Sequence, residues 1–273
     1  MSTHQSQSRL TIHDILSKKG HEPIVSLTAY SASYAALLDE HIDLFIIGDS
    51  LGMVLYGLAD TLGVSMEMMI RHGKAVSSHS NHAICVIDMP FGSYQASPAQ
   101  AFTNASTLLV ESGCQAVKIE GGMEMVDTVD FLTKRGICVM AHIGLKPQHV
   151  HTMGGYKYQG RTQEAQDAII REAQAFEKAG AFSLLLEGLD QQLAKDITTL
   201  VHIPTIGIGA SVHCDGQVLV TDDMLGMTER TPKFVERYAS LKDTVNDAVQ
   251  TYAKAVRERS FPQDKHCFGR KDS

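Results

Sequence analysis

Four carboxylates, a lysine and a histidine recur in this chain at one kind of place, the end of a short apolar run. Asp49 follows the run 44–47, Asp88 follows 83–87, Lys118 and Glu120 lie within and just past 116–119, His142 follows 137–140, and Glu187 follows 183–186. Asp49, Asp88, Glu120 and Glu187 around one rim would repel one another and raise some of their pKa values steeply unless a cation compensated them. Oxygen donors with no cysteine and few histidines favour a hard ion that keeps some of its waters, so Mg2+ is expected over Zn2+. Such an ion leaves coordination positions open. An α-keto acid can fill two of them through its carboxylate and ketone oxygen, and the neighbouring C–H becomes more acidic. Lys118 and Glu120 stand two apart on one strand and face the same side. A lysine there can hold a substrate carboxylate or stabilise an enolate.

The elements that must position these groups follow from the apolar runs themselves. With 23–27, 203–206 and 217–220 added, the chain holds eight such runs, nearly continuous rather than alternating, as expected for parallel strands covered on both faces. Amphipathic segments at 65–80, 98–112, 123–135, 162–179 and 190–201 separate them, another at 12–18 precedes the first, and a long one at 232–258 follows the last. Ser97-Pro98 reads as a helix start, and Gly113, Gly136 and Gly180 stand just past helix ends. Eight strand-helix units predict an α/β fold, a single (β/α)8 TIM barrel over residues 11–260 with tails at 1–10 and 261–273, in preference to a doubly wound sheet. The spacing leaves little room for a helix between the seventh and eighth strands. In a barrel, the carboxyl ends of the strands converge on the rim where active sites of this architecture are found.

Composition narrows the function classes. The 273 residues carry 24 Lys+Arg against 31 Asp+Glu, a formal charge of -7, and no basic run, which argues against binding nucleic acid through its phosphates. No stretch of about 18 apolar residues would span a bilayer, and the first ten residues lack the apolar stretch of a signal peptide. The five cysteines, Cys85, Cys114, Cys138, Cys214 and Cys267, have no metal-finger or redox spacing. A cytoplasmic protein free of membrane and nucleic-acid partners is expected. Gly207-Ile208-Gly209-Ala210 lacks the third glycine of a dinucleotide fingerprint and reads as a rim loop. The glycine-rich stretch 154–161 is longer than a plain connection and reads as a lid.

Eight strings in order resemble the ketopantoate hydroxymethyltransferase family. They are Thr28-Ala29-Tyr30, Ile47-Gly48-Asp49-Ser50-Leu51-Gly52-Met53, Asp88-Met89-Pro90-Phe91 with Ser93-Tyr94, Val117-Lys118-Ile119-Glu120-Gly121-Gly122, Ala141 through Gln148, Gly154 to Lys157 with Gln159-Gly160-Arg161, Ile203 to Ala210, and Asp215-Gly216-Gln217. The resemblance implies a barrel of the phosphoenolpyruvate/pyruvate type, assembled as a homodecamer. It implies one Mg2+ per subunit, ligated by Asp49 and Asp88 and reached through water by Glu120. Asp49, Ser50, Asp88, Lys118 and His142 would surround 3-methyl-2-oxobutanoate, with Ser50 and Lys118 on its carboxylate and Glu187 as proton acceptor. The reaction implied transfers a hydroxymethyl group from 5,10-methylenetetrahydrofolate to C3 of the keto acid through a Mg2+-stabilised enolate, giving 2-dehydropantoate and tetrahydrofolate in pantothenate biosynthesis. Two other readings of the same residues are a Mg2+-dependent aldolase or C–C lyase on another α-keto acid, and a catalytically silent barrel that binds without turnover. A silent barrel would be expected to have lost a metal ligand or Lys118, and the whole set is present. The chain departs from the family pattern at Ser31, at the shortened junction Glu40-His41, and at Ser211.

Overall fold

A computed structural model describes residues 9–229 and 231–269. The chain forms two compact units, Met1–Thr221 and Asp222–Ser273. The first contains a closed barrel of eight parallel strands in sequence order: β1 (Ile24–Thr28), β2 (Leu44–Ile47), β3 (Ile84–Asp88), β4 (Ala116–Glu120), β5 (Val139–Gly144), β6 (Ser183–Glu187), β7 (Thr205–Ile208) and β8 (Gly216–Leu219). Closure is made by β1 against β8, with Ile24 opposite Gly216 and Leu27 opposite Leu219. Gly216 is required there, since a Cβ would stand 2.5 Å from the Ile24 carbonyl oxygen.

Each apolar run becomes a strand, with two shifts that have physical reasons. β5 extends to Gly144 rather than stopping before His142, so the histidine lies inside the strand. A polar side chain ends an apolar run in sequence, but near the mouth of a barrel it can occupy an inward position of a continuing strand. β7 begins at Thr205 rather than 203, after Pro204, which has no N–H to give to a ladder. Residues 209–215 hold turns and no helix, as the short spacing between the last two strands requires.

The helices start where side chains can take the free N–H groups of a first turn. Ser65 caps Met66–Ser77, Ser97 caps Pro98–Ser112, Thr162 caps Gln163–Lys178, and Asp190 caps Gln191–Leu200. The segment expected at 123–135 is a 3-10 turn, Met123–Met125, running into the helix Val126–Thr133. In the second unit, only Leu241–Arg257 of the expected 232–258 is helical, following turns that include Pro232. No described helix is long and apolar enough to cross a membrane.

Inside the barrel, Ile24, Leu44, Ile46, Ile84, Val86, Ala116, Met140, Leu185, Ile206 and Val218 form one buried cluster. Ile15, from the helix Ile12–Ser17 that precedes β1, joins this cluster with no exposed surface. Truncating such a residue to alanine costs about 2–5 kcal/mol. The lower barrel is therefore packed mainly with apolar side chains, with Ser26, Ser183 and Thr205 buried on the same strands. The charged groups begin further along the strands.

Candidate active site

The register fixes which charges meet. Asp88, the last residue of β3, pairs with Lys118 on β4, Glu120 at the end of β4 pairs with His142 on β5, and Gly144 pairs with Glu187 at the end of β6. Lys118 and Glu120, two residues apart, reach the same network, as the period of a strand dictates. Lys118 Nζ lies 3.2 Å from Asp88 Oδ2 and 3.2 Å from His142 Nδ1. His142 Nδ1 is also 3.4 Å from Glu120 Oε2, and its Nε2 is 3.3 Å from Glu187 Oε2. Asp49 enters from the turn after β2, where its own N–H donates to Asp88 Oδ2 at 3.0 Å. Ser50 follows it, with its hydroxyl 2.8 Å from that of Tyr30. All six residues proposed from sequence as acid, base or cation are thus gathered at the carboxyl ends of β2 to β6, with Ser50 beside them.

The electrostatics follow from burial and crowding. Burial and then the neighbouring Asp88 push Asp49 up to about 7. Burial likewise raises Glu120 well above the usual carboxylate range and brings Glu187 to about 7, with Lys118 opposing in both cases. For Lys118, burial works against the ammonium, but Asp88, Glu120, Asp49 and Glu187 outweigh it and hold the pKa above its ordinary value. Burial and Lys118 together depress His142 well below its ordinary value, so its imidazole is neutral. An ammonium can only donate. Lys118 facing Nδ1 therefore makes that nitrogen the acceptor, and Nε2, 3.3 Å from Glu187 Oε2, has no hydrogen-bond partner among the described residues. Glu187 is the most accessible of the four rim acids, with 17% of its side chain exposed.

Among the described residues, two buried carboxylate oxygens, Asp88 Oδ1 and Glu120 Oε2, have no hydrogen-bond partner. Each belongs to an acid whose other oxygen is tied: Asp88 Oδ2 by Lys118 and the Asp49 N–H, and Glu120 Oε1 by the Gln148 N–H at 2.7 Å. Unsatisfied buried anionic oxygens are costly. A hard divalent cation satisfies them, so the donor set fits the ion expected from sequence. Among the described residues, no three acid, imidazole or thiol side chains close around a point as a finished cage. A site with two direct acids and several waters does not need one.

Sequence reasoning gave no role to Gln148 or Tyr94. Gln148, only 5% exposed, donates through Nε2 to Asp49 Oδ2 at 2.8 Å and to the Met89 carbonyl at 2.9 Å. Its Oε1 lies 2.7 Å from the hydroxyl of Tyr94, which is fully buried, and 3.2 Å from Gln95 Nε2. A neutral glutamine after a proline has no sequence signal of its own; only its position in the string ending at Gln148 marked it. At the departures from the family pattern, Ser31 caps Ala32–Leu38 through Tyr34 N–H, as its type allows, and the Glu40-His41 junction is a 3-10 turn, Asp39–His41. Ser211 is buried and its Oγ accepts from His213 N–H at 3.3 Å.

Comparison with known proteins gives a consistent result. Residues 9–264 match the family described as ketopantoate hydroxymethyltransferase. The 3-methyl-2-oxobutanoate hydroxymethyltransferase of Rhodospirillum rubrum is 58% identical over 264 residues, covering 96% of this chain and 95% of the relative. One from Pseudomonas aeruginosa, 3-methyl-2-oxobutanoate hydroxymethyltransferase 1, is 53% identical over the whole of both chains. Among solved structures, a phosphonopyruvate hydrolase crystallised with oxalate and Mg++ superposes with a TM-score of 0.62 at 12% identity, over 96% of this chain and 93% of its own. A 2,3-dimethylmalate lyase of the PEP mutase/isocitrate lyase superfamily gives 0.59 at 15% identity, over 90% and 83%. Similarity at that level speaks to the barrel fold alone.

Proposed function

The chain belongs to the ketopantoate hydroxymethyltransferase family and is an enzyme that transfers a hydroxymethyl group to 3-methyl-2-oxobutanoate; from that premise we propose how its rim carries out the transfer. Asp49 and Asp88, with Glu120 nearby, would hold a Mg2+ ion. When bound, the ion supplies Lewis acidity to the ketone oxygen and acidifies the C3–H beside it. Lys118 pairs with the substrate carboxylate, and Ser50, oriented by the Tyr30 hydroxyl, donates to the same group. His142, neutral and buried between Lys118 and Glu187, keeps the two apart, with its Nε2 3.3 Å from the base.

Glu187 takes the proton from C3. Its pKa near 7 suits a base at neutral pH, and its partial exposure lets the proton leave to solvent. The electron pair released at C3 forms the new carbon–carbon bond to the one-carbon unit of 5,10-methylenetetrahydrofolate, and a water supplies the hydroxyl oxygen on the same carbon. Both of that carbon's bonds to the folate nitrogens break, the nitrogens take up two protons to balance those lost by C3 and the water, and 2-dehydropantoate and tetrahydrofolate leave. The observation that carries this reading is the division of labour on the rim: two buried acid oxygens left without partners beside a lysine, and one acid raised to neutrality a histidine away.

The test omits the folate. Protein with 3-methyl-2-oxobutanoate and Mg2+ in deuterated water should exchange the C3 proton, and addition of methylenetetrahydrofolate should then give 2-dehydropantoate. Exchange that survives EDTA undiminished would remove the metal from the reading. Product formation without any C3 exchange would remove the proton-abstraction step. The assembly that fits the family resemblance is a homodecamer in the cytoplasm; sedimentation of the purified chain tests the number of subunits.

A further inference from the structure

We propose that Gln148 is a positioning residue that sets the two rim acids Asp49 and Glu120 for cation binding. One residue grips both acids by different groups. Its side-chain amide donates to Asp49 Oδ2 at 2.8 Å, while its main-chain N–H donates to Glu120 Oε1 at 2.7 Å. In each case one carboxylate oxygen is taken, and the opposite oxygen of Glu120 is left buried and free.

The amide has no freedom to turn. Nε2 has two protons, one toward Asp49 and one toward the Met89 carbonyl, the first residue after β3. Oε1 accepts from Gln95 Nε2 at 3.2 Å and faces the Tyr94 hydroxyl at 2.7 Å. A flipped amide would set NH2 against a donor on one side and a carbonyl oxygen against a carboxylate on the other, so only one orientation satisfies every atom. The donor is also neutral. A lysine or arginine in its place would fix Asp49 equally well and cancel the charge that a cation needs. Glutamine fixes the geometry and leaves the charge in place.

The inference rests on the proposed metal site, so the test reads metal binding directly. The probe is Mn2+, followed by the electron paramagnetic resonance of the free ion, with the full chain and no substrate. Gln148→Glu, similar in shape but placing an acceptor against Asp49 Oδ2, and Gln148→Ala should each weaken Mn2+ binding by roughly 10- to 100-fold. kcat should fall in parallel, and KM for methylenetetrahydrofolate should stay put. Tyr94→Phe removes one of the contacts on Oε1 and should weaken Mn2+ binding in the same direction by a smaller factor. Folded Gln148 variants that bind Mn2+ within twofold of wild type overturn the proposal. If both Gln148 variants fail to fold, Tyr94→Phe decides alone, and unchanged affinity overturns it. Wild-type protein that binds no Mn2+ would instead defeat the metal reading itself.

Discussion

The two ends of the barrel both bury carboxylates, and they treat them in opposite ways. Below β3, Asp39 is 5% exposed and spends both oxygens on protein donors: Ser80 Oγ and Ala83 N–H on Oδ1, and the N–H groups of Asn81 and His82 on Oδ2. Below β8, Asp215 does the same with Gly20 N–H on one oxygen, and Lys19 and Thr205 on the other. Above β3 and β4, Asp88 and Glu120 each keep one oxygen buried and unpartnered. Residue type does not separate these acids. A carboxylate whose oxygens all meet protein donors belongs to the framework, whereas Asp88 and Glu120 are the acids that the proposed cation would satisfy. The pKa directions agree: burial pushes Asp39 up, but four hydrogen bonds outweigh it and hold it below the usual range, whereas Asp49 and Glu187 rise to about 7.

This contrast can be broken by substitutions at either end. The largest effect should come from Asp49→Asn or Asp88→Asn, which should lower turnover by roughly 10^3-fold through the loss of several kcal/mol of metal-supplied stabilisation. The melting temperature of metal-free Asp49→Asn should be no lower than that of wild type, because the change removes a buried charge crowded by Asp88. A clear destabilisation would place Asp49 with the framework acids instead. Next, Glu187→Gln should slow C3 exchange by about 10^2-fold or more while keto-acid binding is nearly kept. Retained exchange would assign the base elsewhere.

In wild type, the exchange rate should fall about tenfold per pH unit as pH drops below about 7, because Glu187 accepts a proton only as the carboxylate. A flat profile down to pH 5 would contradict a raised base. The smallest effect on catalysis belongs to the lower end. Asp39→Asn sets an NH2 among N–H donors and should cost about 1–3 kcal/mol of stability at neutral pH, with kcat per folded molecule unchanged. Its sign with pH is fixed. The folded pKa lies below the unfolded one, so Asp39 stabilises above pH 4 or so, and the contribution fades as pH falls through the folded value. Denaturation profiles of wild type and variant should therefore converge in acid.

The upper end was legible because its chemistry is timed to the strands. Apolar runs located all eight strands, and the ionisable residues in or just past five of them, β2 to β6, gathered at one rim. The same device misplaced the end of β5, since reading a polar residue as a stop is right for a half-exposed strand and wrong for one that lines a barrel mouth. Gln148 stayed silent for a different reason. Its partners lie 99 and 28 residues away in sequence, and a hydrogen bond between neutral and charged groups over such a separation leaves no local pattern. The lower acids were equally hidden: Asp39 ends a helix in sequence, and nothing there announces the loop it gathers around itself.

The seam between β1 and β8 bears on how the molecule comes into being. β1 needs β8, which ends at Leu219, and the Asp215 carboxylate that braces Lys19 and Gly20 is translated nearly 200 residues after them. At about 5–20 residues per second of synthesis, the nascent chain shows an unpaired β1 edge for on the order of ten seconds or more. During that interval the partial sheet has two open edges that any extended segment could join. The open β1 edge is thus a vulnerability of the growing chain alone, one that the finished barrel, having no edge, no longer displays.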